Sequence, residues 1–202
     1  MFSLFKRKAA QAAVVSPDET KLLRSSLVPR IKHLAFEEAL RERGIPAEQM
    51  PPTAPLVGEL LVTYAFDLPE QFVMASASNL ARAGISLDEV HALATRNLTA
   101  RLPTIEYYEG PGVHLAVTGG DLEACLLLAE KVWDDAATRF KRGFVVCVPR
   151  RDRLLVSDGG DAEAIAAIRR AAEEFYTEQD DGHALSLQLM SRVGNGWRLH
   201  AQ

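Results

Sequence analysis

The chain has 202 residues, of which 48% are hydrophobic and 25% charged; this is the balance of an ordinary globular protein, long enough to bury a core without staples. Its formal charge of −4 is uneven, with nine Lys/Arg against six Asp/Glu in residues 1–50 and 14 against 21 beyond. An acidic body argues against general nucleic-acid binding, which rests on neutralising phosphates, and no run approaches the ~18–20 apolar residues of a membrane helix. The opening MFSLFKRKAAQAAVV puts a basic cluster after a very short apolar stretch, the reverse of a secretory signal. Phe2, Leu4 and Phe5 beside Lys6, Arg7 and Lys8 read as a frayed terminus, with weak contact to a membrane surface as the alternative.

SPDETKLLRSSLVPRIKHLAFEEALRERG reads as helical with a break near Pro29, stopped by Gly44. A proline-rich connector, Pro46 to Pro55, follows. Residues 1–54 are therefore expected to form a helical N-terminal arm, and residues 55–202 a single α+β domain. GELLVTYAF (58–66) reads as a strand, and Asp67-Leu68-Pro69-Glu70 as the opening of a helix with stripe Phe72, Val73, Ala77, Leu80, Ala81 and terminator Gly84. Ser86 with Glu89 is a capping box for a helix whose one face carries Val90, Leu93, Ala94, Asn97 and Leu98. Asn97, polar on that face, suits a hydrogen bond to a neighbouring loop end.

From residue 104 the pattern becomes ββα, twice. TIEYY and VHLAV flank the hairpin signal EGPG and lead to DLEACLLLAEKVWDDA; GFVVCV and RLLVS flank PRRD and lead to DAEAIAAIRRAAEEFY. The units cover about 104–137 and 143–178, with Gly119-Gly120-Asp121 and Gly159-Gly160-Asp161 at their strand-to-helix joints. Asp121 and Asp161 are expected to cap the helices, and Glu123 and Glu163 to favour the first turns. ALSLQLMSR and GWRLHA around Gly194-Asn195-Gly196 add a third hairpin. The prediction is a mainly antiparallel sheet with the repeat helices on one face and the strands covered on both.

Catalytic signatures are absent. The GGD pairs are followed by Leu or Ala and by helical periodicity, unlike a GGDEF hairpin, and neither GxxxxGK[ST] nor GxGxxG occurs. His33, His91, His114, His183 and His200 lack ligand spacing, so no metal and no cofactor is implied. Cys125 and Cys147 lie in apolar runs without CxxC spacing and read as reduced core residues of a cytoplasmic protein. The basic residues between Arg139 and Arg153 read as a solvated edge, split by GFVVCV. Asp67, Asn97, Arg151 and Asp152 are the polar groups best placed for work at a sheet rim.

PLVGELLVTYAFDLPEQF, GISLDEVHALATRNL and FVVCVPRRDRLLVSD, in that order and spacing, resemble the YtpQ-like family of bacterial proteins, over roughly residues 55–178. The resemblance is carried by Asp67 with Pro69, Asn97 with Leu98, and Pro149, Arg151 and Asp152. It implies no reaction and no catalytic residues. The functional expectation is a non-enzymatic protein-interaction or regulatory module, one version being an immunity-type partner acidic enough to dock on a basic protein. The alternative is a small hydrolase or transferase using the four rim residues.

Overall fold

A computed structural model describes residues 17–69, 71–102, 104–120, 122–178 and 182–201. The basic start Phe2–Lys8, Glu70, Asp121 and the pair Asp180-Asp181 lie outside the described residues. The architecture is α+β: helices on two antiparallel sheets. Among the described residues, no helix is long and apolar enough to cross a membrane.

The first sheet corrects the reading of the N-terminal arm. Helices α1 (Pro17–Ser26) and α2 (Ala35–Glu42) form where expected, and Gly44 (φ +71°) ends the second. Between them, however, Leu27–His33 is strand β1 and not a continued helix. It pairs antiparallel along its whole length with β3 (Leu60–Leu68), and Leu27, Val28 and Ile31 are buried in the main core. Residues 27–33 are thus part of the body, not an extension packed on it. The other side of β3 holds β2 (Ala54–Val57) against Leu60–Val62 and β4 (Gln71–Met74) against Ala65–Leu68.

Strand β4 replaces the helix expected from Asp67-Leu68-Pro69-Glu70. Leu68 pairs with Gln71, so the chain reverses there, and Phe72 stacks on the buried Arg30 guanidinium at 4.3 Å. The helical stripe begins only at α3 (Ala77–Arg82), closed by Gly84 (φ +61°). Helix α4 (Leu87–Arg101) follows the reading closely: the Ser86 hydroxyl accepts from Glu89 N–H, and Val90, Leu93, Ala94 and Leu98 are buried.

Among the described residues β1 has a strand partner, β3, on one side only, and its other edge is closed by side chains. Asn97 of α4 donates to the carbonyls of Arg24 (2.8 Å) and Leu27 (2.9 Å), which is the loop-end bond its position suggests. The buried Cys125 thiol donates to the Pro29 carbonyl at 3.2 Å. Alternate residues of a strand turn both backbone groups to the same side. Leu27 and Pro29 thus face the edge, where a proline removes no ladder bond.

The second sheet unites the three predicted hairpins in the order β10-β9-β7-β8-β6-β5, all antiparallel. They are β5 (Glu106–Gly110) with β6 (Val113–Val117), β7 (Phe144–Arg150) with β8 (Arg153–Asp158), and β9 (Met190–Val193) with β10 (Gly196–Leu199). Every residue of β7 is buried, as strands covered on both faces require. Gln188 ties the sheets together, accepting from Glu59 N–H (3.1 Å) and donating to the Val57 carbonyl (3.0 Å).

The repeat helices do not share a face. Helix α6 (Ala162–Thr177) packs Ile168 and Ala172 on Val145, Cys147 and Leu155, whereas α5 (Glu130–Arg139) packs Trp133 on the side of Phe144, Val146 and Leu154. The two glycine pairs differ in backbone: Gly119 (φ +110°) and Gly120 (φ +100°) occupy the left-handed region, while Gly159 and Gly160 do not. Asp161 caps α6 through Glu163 and Ala164 N–H, as expected. Glu123 instead is fully buried, and its Oε1 accepts from Thr118 and Gly120 N–H, each at 2.7 Å. It locks the loop closed, so the expected first-turn role does not hold for it.

The helix expected over DLEACLLLAEKVWDDA is likewise broken, into a 3₁₀ segment Ala124–Leu128 and α5, at Ala129 (φ −96°, ψ 87°). Two indoles serve carbonyls at the break: Trp133 donates to Leu126 O (2.7 Å) and Trp197 to Leu127 O (2.8 Å). The rings also pack edge-on, with centroids 4.8 Å apart.

Two substitutions test these joints. Asn97→Ala leaves two carbonyls without their side-chain donor and is expected to lower unfolding free energy by about 2 kcal/mol. Glu123→Ala is expected to cost about as much by orphaning two loop N–H groups, with Glu123→Gln, which keeps an acceptor oxygen, milder. Urea denaturation measures both.

Candidate functional site

The four rim candidates fall into two pairs. Asp67, just beyond the Leu27↔Phe66 end of the β1–β3 ladder, accepts from Arg101 Nη1 at 2.9 Å, while Arg101 Nη2 donates to Ser25 O. Asn97 sits one turn earlier on α4, bonded as described. Both hold α4 on the α1–β1 joint.

Arg151 and Asp152 form the β7–β8 turn. The Arg151 carbonyl accepts from Ala124 N–H (3.1 Å), and its own N–H donates to His183 O (2.9 Å). Asp152 accepts from Arg153 (2.8 Å) and lies 3.5 Å from Arg150 Nε. Burial, then the charges of Arg30 and Arg151, hold the Lys32 amine below its usual range. Among the described residues, no hydrogen bond or ion pair joins one pair to the other. The basic stretch also differs from a solvated edge, because the Arg150 side chain is only 3% exposed.

The thiols are inert by position. Burial pushes Cys125 up to about 11 and Cys147 to about 12, and neither forms a disulfide. No three His, Cys, Asp or Glu among the described residues gather as a metal site.

The arrangement with the clearest chemical use lies elsewhere, at the end of the six-stranded sheet. Among the described residues β5 pairs only with β6, and all five of its residues are exposed. Its far side presents unpaired backbone donors and acceptors, and an extended segment of about five residues can complete that ladder. Helix α5 lies over the adjoining face. Between strand and helix is a cavity of about 140 Å³ lined by Tyr107, His114, Trp133, Ala136, Arg139 and Phe140, among others. Arg139 pairs with Glu109 and sits over the Tyr107 ring, 5.9 Å from its centroid. His114 meets Phe140 edge-on at 5.4 Å, and its buried Nδ1 has no hydrogen-bond partner, with Glu109 Oε1 at 3.8 Å. Burial chiefly, then Arg139, lowers the His114 pKa, against the pull of Glu109. At neutral pH the ring is an uncharged wall of an apolar pocket with one polar atom to offer.

Of this site, only the hairpin and the apolar side of the helix were visible in the sequence. EYYEG beside VHLAV marks a strand pair, but which strand ends a sheet depends on the order of all six. The chain matches no family model, no curated protein and no solved structure.

His200, hydrogen-bonded to Ser191 (2.8 Å), is also held below its ordinary value, by burial and then Arg169 and Arg198. With both histidines depressed in the folded state, the unfolded chain takes up protons first as pH falls through about 6.5. The stability they contribute is full above that pH and is lost below it. The urea midpoint is expected to drop between about pH 7.5 and 5.5, and the double variant His114→Gln/His200→Gln to flatten that slope.

Proposed function

We propose that the chain is a non-enzymatic protein-interaction module that takes an extended segment of another protein onto the open edge of β5, with YtpQ-like membership part of the same reading. The observation that carries it is the juxtaposition of an exposed edge strand with an apolar pocket under α5. Backbone pairing supplies affinity without regard to sequence, and every second side chain of an added strand points to the same face. One such side chain drops into the pocket, so the partner carries an apolar residue there. Glu109 is already paired with Arg139, and Glu106 and Asp135 at the rim favour Lys or Arg beside the site, which accords with the acidic body of the chain. A basic partner, as in an immunity-type pair, is one version. The two buried cysteines, neither in a disulfide, support a reducing, cytoplasmic setting.

Random-peptide display against the chain provides the test. Selected peptides are expected to share one apolar position flanked by basic residues. Ala136→Arg, which plugs the half-buried pocket wall, is expected to weaken them at least tenfold, with Leu199→Lys at the opposite edge without effect. Equal binding to the Ala136→Arg chain, with its circular dichroism unchanged, would sink the proposal.

A further inference from the structure

At the other end of the six-stranded sheet, the β9–β10 hairpin, α4 and the start of α5 enclose a larger cleft of about 420 Å³. Its groups are unusual in what they leave unused. α4 turns His91, Thr95 and Thr99 towards it at intervals of four. Thr99 makes the ordinary helix bond, its hydroxyl donating back to Thr95 O at 3.0 Å. The Thr95 hydroxyl is buried and has no hydrogen-bond partner among the described residues. Across the cleft, Arg192 of β9 stands over the Trp197 ring, 5.7 Å from its centroid; its buried Nη2 has no hydrogen-bond partner, and the side chain forms no ion pair among the described residues.

Arg192 and Thr95 thus line one cavity, and each carries a buried donor without an acceptor among the described residues. The surroundings agree on its sign. Lys131 also lines the cleft, and α5 begins there with Ala129 supplying no side-chain cap, so the positive end of the helix is left open. Tyr64 fixes the His91 ring through Nδ1 at 3.0 Å. Glu130 is the one carboxylate in the lining, against Lys131 and Arg192. That excess of one positive charge suits a singly charged group better than a dianionic phosphate. The rest of the lining is mostly apolar, with Leu56, Leu127, Leu128 and Trp197, whose indole is held by Leu127 O, and one neutral polar side chain, Asn195.

We infer that this cleft is a binding site for a small organic carboxylate with a flat apolar body, its carboxylate on Arg192 and Thr95 and its body against Trp197 and Leu127. The site is separate from the β5 edge and goes beyond the peptide-binding reading, so failure of either leaves the other standing.

The test follows the Trp197 indole N–H in nitrogen–proton correlation spectra of the full chain, assigned with Trp197→Phe. 2-Naphthoate is expected to move that peak saturably while leaving the Trp133 indole in place. 2-Naphthamide, which has the same body without the charge, and acetate, which has the charge without the body, are expected to bind at least tenfold more weakly. Arg192→Gln is expected to weaken 2-naphthoate at least tenfold, and Thr95→Val to weaken it less. Absence of a saturable shift, or equal binding of the amide, overturns the proposal. Equal binding of acetate or of inorganic phosphate overturns it too. The ligand comparison uses the unaltered chain, so it decides the matter even if a variant fails to fold.

Discussion

A strand buried in a core must find a partner for every backbone N–H and C=O, and β1 can find only half of them on its neighbour β3. The rest of the molecule is arranged around that deficit. Asn97 brings α4 to the Leu27 end of the strand, and Cys125 brings the 3₁₀ segment to its middle. The first of these contacts fixes the side on which α4 lies. The second fixes where the chain of the first repeat must stand before α5 can begin. Through them the small sheet, two helices and the six-stranded sheet become one body with a shared hydrophobic core.

The same demand explains why the two repeats, alike in sequence, diverge in space. The second joint solves its strand exit locally, with Asp161 on the first N–H groups of α6. The first joint folds back on itself, with Glu123 inside the loop and Ala124 N–H bonded to the Arg151 carbonyl. One motif thus yields a cap in one place and a buried clasp in the other. Sequence similarity alone does not distinguish them, because the difference lies in what each loop packs against.

Much of the fold was legible because it depends on local chemistry. The capping box at Ser86, the stops at Gly44 and Gly84, the three hairpins and the β-rich run of β3 are all written within a few neighbouring residues. The polar Asn97 on an apolar face pointed correctly to a backbone partner. What escaped was set by distant neighbours. SLVPRIKH is a strand only because β3 and its edge-closing partners exist, and its proline suggested a helix break until the edge position accounted for it. The break at Ala129 was equally hidden, since two indoles from separate elements serve its carbonyls. The candidate sites fared worst. Asp67 and Asn97 hold elements together with their side chains, Arg151 does so through its backbone and Asp152 stays within its own hairpin, whereas β5 became interesting through strand order and Arg192 through what it lacks.

The closure of β1 also has a history in time. Its pairing with Asn97 spans 70 residues of chain and that with Cys125 spans 96. At a synthesis rate of ~10 residues per second, the strand therefore waits roughly ten seconds on the ribosome after it emerges before its last edge partner exists. During that interval its outer edge is open even once β3 has paired with it, and an open edge can template aggregation. Pro29 near its centre, followed by Arg30 and Lys32, is the composition that blunts such an edge. The proline that fits the finished fold thus also guards the unfinished one.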